Sequence, residues 1–459
     1  MILSVQFNER DKQKQMILTE NLWKVMFNLS WPAVIAMVLY GLNSVFDAIF
    51  VGQFVGETAL AGVSLAYPLS QITLGIGSLI GVGAGSALSI ALGSDDKYTQ
   101  RNLMGNVNFL SIIISIVYMI GGWFLATSLV RIMGGVGEAL ELGKAYFQIT
   151  VIGSFFWIHG LGGNMIVRAE GKMKSAAIMM GIGLVVNIIA NYILIVIFGM
   201  GVVGAAWGTN LGMFVYTISG LLYFAKGKAS FDAHPFRVAV DKKIINSIIS
   251  MGMPSLIMAV TGLIQAIVVF NALSRYGTTY DLAFYGAVYR IFTLLLTPIF
   301  GLMRALQPVI GINYGAEKKE RVIISFKIFA ISSVFLMLPF WLVMMLSPQT
   351  ALGFMFPNKI FDGASLFNFR VYMGVLPILP IVFMAMTFFP AIDKGKPAAI
   401  LGIARQLVFF VPVMLILPRL YGVRWVYLGT MGIDVIITIW MFILVRKEFN
   451  ILRTELKRV

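Results

Sequence analysis

The stretch VLYGLNSVFDAIFVG, Val38 to Gly52, carries one carboxylate, Asp47, inside an otherwise apolar run. No charged residue precedes it back to Lys24, and none follows until Glu57. An ionised aspartate in hydrocarbon costs roughly 3 kcal/mol on insertion scales. Such a residue is kept where it faces a cavity and acts there, so the environment of this stretch decides the fold and the function together.

Composition settles the environment. The chain of 459 residues is 59% hydrophobic and 12% charged, with a mean hydropathy of +0.88. Soluble domains carry roughly 25% charged residues, so this is a polytopic membrane protein. It has no cysteine, which excludes disulfides, zinc-thiolate sites and thiol chemistry. The polar opening MILSVQFNERDKQKQ lacks the apolar core of a cleaved signal, and no processing is expected.

Apolar runs of roughly 20 residues span a bilayer. Twelve such helices are expected: Leu29–Gly52, Leu60–Gly93, Leu103–Leu129, Tyr146–Val167, Ala176–Gly199 and Val202–Ala225 in the first half. The second half supplies Ile244–Leu273, Leu282–Tyr314, Val322–Leu346, Leu366–Ile392, Ala398–Leu417 and Val426–Val445. The breaks fall at glycine, proline and charge clusters; FGMGVVG is the least obvious of them.

Basic residues orient these spans. Loops on the side of the termini hold 24 Lys and Arg, the opposite loops hold 6, and five lie within helices. That bias places both termini in the cytoplasm of a cell-membrane, multi-pass protein. The net charge of +15 is then largely topological, and no nucleic-acid partner is expected.

The chain also repeats itself. At a shift of 222 residues Pro32 meets Pro254, Ala61 meets Ala283, Tyr67 meets Tyr289 and Gly93 meets Gly315. EGKMKSAA then aligns with KGKPAAIL, and GVVGAAWGT with GVRWVYLGT, with slips of one or two residues. Six helices per half is an even number, so the halves insert the same way up. The expectation is an all-α protein of two six-helix lobes about an axis along the membrane normal, with a cavity between them. The corresponding division is a tail at 1–24, lobes at 25–226 and 244–446, a linker at 227–243 and a second tail at 447–459. Within the second span, Gly77, Gly81, Gly85, Ser89 and Gly93 recur every fourth residue, a small-xxx-small face for close helix packing. GIGSLIGVGAG there is no dinucleotide fingerprint, because no strand precedes it.

Several stretches resemble the multidrug and toxic compound extrusion (MATE) transporters of the bacterial type. They are SWPAVIAMVLYGLNSVFDAIFVG, GVGAGSALSIALG, RAEGKMKSAAIMMGIGLVVNIIANYIL, GVVGAAWGT and ARQLVFFVPVMLILPRLYGVRWVYLGTMGID. The resemblance implies two lobes in a V and export of cationic compounds driven by inward flow of H⁺ or Na⁺. It also implies an ion site in the first lobe, matched at Asp47, Asn187 and Thr209. Asn191 departs from it, since many relatives carry an aspartate there, so Asp47 is left as the titrating group.

The residues point the same way by themselves. At about 1.5 Å per residue, Asp47, Asn187, Asn191 and Thr209 all fall in the outer half of the first lobe. Asn187 and Asn191 share a helix face. A carboxylate, two amide oxygens and a hydroxyl form a hard-oxygen set suited to Na⁺ or to a proton relay; otherwise the neutral three bridge packed helices.

The second lobe has a valine, Val269, where the repeat would place Asp47. Its mid-depth acid is Asp434, with Arg405 as the natural partner, in either a structural or a substrate-binding pair. Arg290 and Arg304 are fourteen residues apart and are candidates to line the cavity, whereas Lys327 and Arg370 near helix ends are expected to snorkel. Tyr40, Tyr67 and Tyr289, with Trp31 and Phe155, are candidate aromatic contacts for flat cations. Pro32 is either a helix-start or kink proline or a hinge that responds to Asp47.

The expected function is therefore a monomeric antiporter that exports amphipathic, cationic organic molecules, with H⁺ or Na⁺ as coupling ion and no other cofactor. The alternative is a flippase of lipid-linked oligosaccharide, which would use Arg290 and Arg304 to hold diphosphate. No enzyme is expected: His159 and His234 are the only histidines, and no H-E-x-x-H or G-x-S-x-G motif occurs.

Overall fold

The computed structural model describes residues 12–353 and 360–456. The first eleven residues of the expected N-terminal tail and the last three of the C-terminal one therefore lie outside the described residues. All regular structure among the described residues is helical. The first lobe comprises a short α1 at residues 12–19, then α2 (Leu22–Phe54), α3 (Glu57–Gly93), α4 (Lys97–Ile132), α5 (Gly137–Ile152), α6 (Ser154–Ala169), α7 (Met173–Asn191) and α8 (Gly201–Ala225). The second holds α9 (Lys242–Tyr276), α10 (Thr279–Gly315), α11 (Lys319–Leu346), α12 (Pro348–Gly353), α13 (Gly363–Met373), α14 (Leu379–Ala391), α15 (Gly395–Ile403), α16 (Val411–Tyr421) and α17 (Arg424–Leu456).

Local sequence starts these helices at the loops. Asn21 accepts a bond from the amide of Trp23, Asp96 from that of Thr99, and Asp241 from those of Lys243 and Ile244. Thr278 and Asp281 close a reciprocal capping box ahead of α10. Each side chain satisfies amide donors that a helix start leaves without partners.

All twelve expected spans fall on helices, but several are broken. Among the described residues nine helices are long and apolar enough to cross a membrane, and the α5–α6 pair makes a tenth, bent by 53°. The remaining two expected spans correspond to α8 and to α13 with α14. The α5–α6 bend has an identifiable cause. A Cβ on Gly153 would lie 2.2 Å from Asn210 Oδ1, and the Asn210 amide donates to the carbonyl of Ile149 at 2.6 Å. The α8 side chain thus enters the helix ladder, and only glycine leaves it room.

Pro377 lies between α13 and α14 and Pro380 in the first turn of α14; neither has an amide proton to donate. The α7–α8 turn passes through Gly199 and Gly201 at φ of 62° and 57°, a conformation that favours glycine. Pro32 lies well inside α2, which removes the helix-start reading and leaves a kink or a hinge. Helix α17 runs through the expected boundary at residue 446 without interruption.

The lobes meet in a seam built by the repeat. Helix α3 packs against α9, and its repeat mate α10 packs against α2, while α3 and α10 meet each other. A Cβ on Gly83 would lie 1.9 Å from the carbonyl oxygen of Ile248, and one on Gly252 would lie 1.8 Å from that of Leu79. The repeat mates Gly93 and Gly315 face each other where α3 and α10 meet: a Cβ on Gly93 would sit 3.0 Å from the Gly315 Cα. The small face at Gly77, Gly81 and Gly85 instead packs α3 against α6 within the first lobe. Gln307 of α10 stitches the seam by donating to the Val82 carbonyl and Ser86 Oγ of α3, both at 3.0 Å.

The end that carries both termini is closed further by α1. Lys14 pairs with Asp95 of the first lobe at 2.7 Å. Arg321 of the second lobe donates to the carbonyls of Ile17 and Glu20, both at 2.8 Å, and Lys318 donates to that of Leu18 at 3.0 Å. One short helix thereby ties the two lobes together.

Candidate functional site

Opposite the closed end, the lobes enclose a cavity of about 970 Å³. The first lobe lines it with Tyr40, Asp47, Tyr67, Tyr146, Trp157 and Thr209, the second with Tyr289, Arg290, Thr293 and Thr297. Both tyrosines of the repeat pair, Tyr67 and Tyr289, are therefore on its wall, and Arg290 joins them. Arg304 does not line it; it lies deeper along α10. Trp31 sits elsewhere, beneath the Lys174 ammonium at 5.5 Å, and Phe155 stacks on His159.

Asp47, near the end of α2, is buried at 8% exposure, yet the cavity reaches it. Two helices supply three of its partners. From α7, Asn191 donates to Oδ1 at 2.6 Å and Asn187 to the same oxygen at 3.2 Å. From α8, Thr209 Oγ1 bonds Oδ2 at 3.2 Å and also lies 3.0 Å from the Ala205 carbonyl. All three of these donors are neutral. The side-chain oxygens of Asn187 and Asn191 are buried without a partner. Turning either amide over would present its oxygen in place of its NH₂ group, and with Asp47 and Thr209 that makes a set of oxygens fit for a hard cation such as Na⁺. No group of three or more His, Cys, Asp or Glu side chains among the described residues could hold a metal ion.

The backbone changes character beside this cluster. Immediately after Asn191, α7 passes into a π-helical segment, Tyr192–Ile197. A second π segment, Ala404–Phe410, follows α15 and contains Arg405. Local widening of a helix in this way often accompanies functional side chains.

Arg405 and Asp434 form an ion pair. The Arg405 Nε donates to Asp434 Oδ1 at 2.8 Å and Nη2 lies 2.7 Å from the same oxygen. Asp434 is only 1% exposed. Arg370 donates to the Met345 carbonyl at 3.0 Å, and Lys327 is exposed on α11.

Two groups escaped the sequence reading. Arg168 counts there as a loop cation, but it occupies the last turn of α6 and is 2% exposed. Glu170, just beyond, is 1% exposed and accepts bonds from the Ser230 amide and hydroxyl and from Tyr223. Both stand in the quoted RAEGK stretch; the signal that could have found them is an acid and a base so close to the end of an apolar run.

A membrane-embedded helical protein of two repeated lobes, with a wide cavity between them and a buried acid on its wall, is a multi-pass membrane transporter and not an enzyme. The chain belongs to the MatE family, whose model matches residues 32–193 and again 254–416. The two matched segments begin 222 residues apart, the same shift as the internal repeat. The multidrug export protein MepA of Staphylococcus saprophyticus is 25% identical over 415 residues, covering 90% of this chain and 91% of that one. A crystal structure of a MATE protein in a bent conformation superposes with a TM-score of 0.90 at 27% identity, covering 97% of this chain and 99% of that one. An outward-facing multidrug resistance MATE transporter gives 0.87 at 26% identity, with 96% and 98% covered.

Proposed function

We propose that this protein is a multidrug exporter that couples inward movement of H⁺ or Na⁺ to efflux of amphipathic organic cations by alternating access. The observation that carries the reading is Asp47, a buried carboxylate held by three neutral donors on the wall of a cavity shared by both lobes. The excess of Lys and Arg on the side of the termini supports an orientation with both termini in the cytoplasm and the cavity opening outward. A carboxylate with neutral partners can exchange a proton or a cation without breaking an ion pair, which is what a coupling site needs. Tyr40, Tyr67 and Tyr289 offer ring faces to a flat cation, and Thr293 and Thr297 add hydroxyls. The likeness to proteins named for multidrug export supports the same substrate class.

The repeat sets the working unit as lobes 25–226 and 244–446, joined by the linker 227–243, within a single chain. The flippase reading needs Arg290 and Arg304 together in the cavity, and only Arg290 lines it. In cells or inverted vesicles, efflux of a fluorescent organic cation is measured while the H⁺ and Na⁺ gradients are collapsed separately. Loss of efflux with one gradient identifies the coupling ion, and Asp47→Asn should abolish coupled efflux while the protein remains folded in the membrane. Normal drug resistance in cells that express Asp47→Asn would overturn the assignment.

A further inference from the structure

The linker between the lobes is bound to the first lobe through its backbone. Asn108, buried in α4, donates from its side-chain nitrogen to the carbonyls of Pro235 and Arg237, each at 2.8 Å. His159 Nε2 lies 2.8 Å from Asn108 Oδ1 and so sets which way that amide points. The Ala239 amide donates to the Gly105 carbonyl at 3.1 Å, and the Asp241 amide donates to Asn106 Oδ1 at 2.7 Å. A Cβ on Gly105 would lie 2.7 Å from that of Ala239, so the glycine lets this segment lie directly on α4.

The other side of the segment is apolar and uncovered. Phe236, Val238 and Val240 are 75%, 54% and 66% exposed. Their depth indicates what covers them. The exposed aliphatic residues of α4 run from Ile113 to Ile132, about 28 Å at about 1.5 Å per residue, which matches a hydrocarbon core of about 30 Å. Asn108 precedes Ile113 by about 7 Å along the helix, and the interfacial layer on each side of the core is about 5–7 Å thick. The two carbonyls that Asn108 holds flank Phe236, so this ring lies at the headgroup level.

The charges beside it are positive. Arg237, Lys242 and Lys243 are exposed and form no ion pair among the described residues. With Arg101, His234, Pro235 and Phe236, Arg237 borders an open recess of about 360 Å³. The acids of the linker are already engaged: Asp232 lies 3.6 Å from Arg101 and 3.5 Å from His234, while Asp241 accepts a bond from Tyr98 Oη at 2.7 Å and caps α9. Apolar side chains at the acyl boundary with cations beside them fit the surface of an anionic bilayer. We propose that linker residues 236–243 form an interfacial anchor for anionic phospholipid. Phe236, Val238 and Val240 enter the boundary between headgroups and acyl chains, and Arg237, Lys242 and Lys243 hold the headgroup phosphate. Because its backbone is tied to α4, the anchor fixes the first lobe against the bilayer. The inference rests on the membrane class of the chain and not on the export reading or the coupling ion.

The chain has no cysteine, so a single label can be placed at a chosen position. Full-length Val238→Cys with a spin label is reconstituted in vesicles of phosphatidylcholine and phosphatidylglycerol, beside a Lys97→Cys control on the exposed start of α4. The ratio of relaxation by oxygen to relaxation by a water-soluble nickel chelate should be several-fold higher at position 238 than at position 97. Phosphatidylglycerol titrated into the detergent-solubilised protein should raise the melting temperature by a few degrees, more than phosphatidylcholine does, and high salt should weaken the rise. In the triple variant Arg237→Gln, Lys242→Gln, Lys243→Gln the rise should fall to half or less. Equal ratios at positions 238 and 97 would overturn the proposal. So would a label at 238 shielded from both reagents, which would assign this face to a protein partner. A melting response kept in full by the triple variant would overturn it as well.

Discussion

The two lobes descend from one repeat, yet their buried acids are solvated in opposite ways. Asp47 in the first lobe is met by two amides and a hydroxyl, at 2.6 to 3.2 Å. Asp434 in the second is met by the Arg405 guanidinium at 2.7 and 2.8 Å. A carboxylate among neutral donors can lose its charge without stranding another one. A carboxylate paired with arginine cannot, because neutralising either partner leaves a buried charge alone. The first arrangement suits a site that changes state during a transport cycle, and the second suits a fixed brace. Val269 at the repeat mate of Asp47 shows that the second lobe has given up the first arrangement.

The stability contrast between the lobes should be the largest effect. Arg405→Ala or Asp434→Ala should each cost about 3–5 kcal/mol, since either strands a buried charge, and the double variant should recover part of that loss. Asp47→Asn should cost under about 1 kcal/mol, because bonds between helices in membranes average near 0.6 kcal/mol. Melting curves of the four purified variants check both figures. A stable Asp434→Ala protein that has lost only certain cations would reassign the second-lobe pair to substrate binding.

Position 191 gives an intermediate effect and sharpens the comparison within the first lobe. Asn191→Asp sets a second carboxylate where the present amide lies 2.6 Å from Asp47 Oδ1. Two carboxylates so close share a proton and titrate as a pair. The pH and Na⁺ dependence of efflux should shift while the melting temperature changes little. Profiles that overlay those of the parent would make position 191 a packing residue.

Glu170 provides the smallest effect, because its surroundings combine both arrangements: hydroxyls and an amide, with Lys172 at 3.4 Å. Burial pushes its carboxyl above the ordinary 4.5. The folded protein therefore holds this proton more tightly than the unfolded chain. The resulting stabilisation is complete below pH 4.5 and is lost as the pH rises through the folded value. Glu170→Gln should narrow the difference in melting temperature between pH 4.5 and pH 7, by an amount below that of either Arg405 or Asp434 substitution. An unchanged difference would show that the surrounding hydroxyls and Lys172 offset the burial.

The comparison also separates what each level of description could supply. The membrane class, the twelve spans and the twofold repeat were legible in the sequence, because apolar length and a constant shift are one-dimensional quantities. So was the candidate set Asp47, Asn187, Asn191 and Thr209, since depth along a helix follows from residue count. The Arg405 and Asp434 pairing was legible for the same reason. Side-chain direction across elements was not: residue count gives depth along a helix but not which neighbour a residue faces. Arg304 therefore read as a companion of Arg290, although it does not line the cavity, and Arg168 read as a loop cation although it is buried. The bend at Gly153 was hidden as well, because its cause is an asparagine 57 residues away on α8. The sequence by itself determined the spans, the repeat and the acid worth suspecting. Only the tertiary structure decided which charges meet, because that depends on how helices distant in the chain rotate and pack against one another.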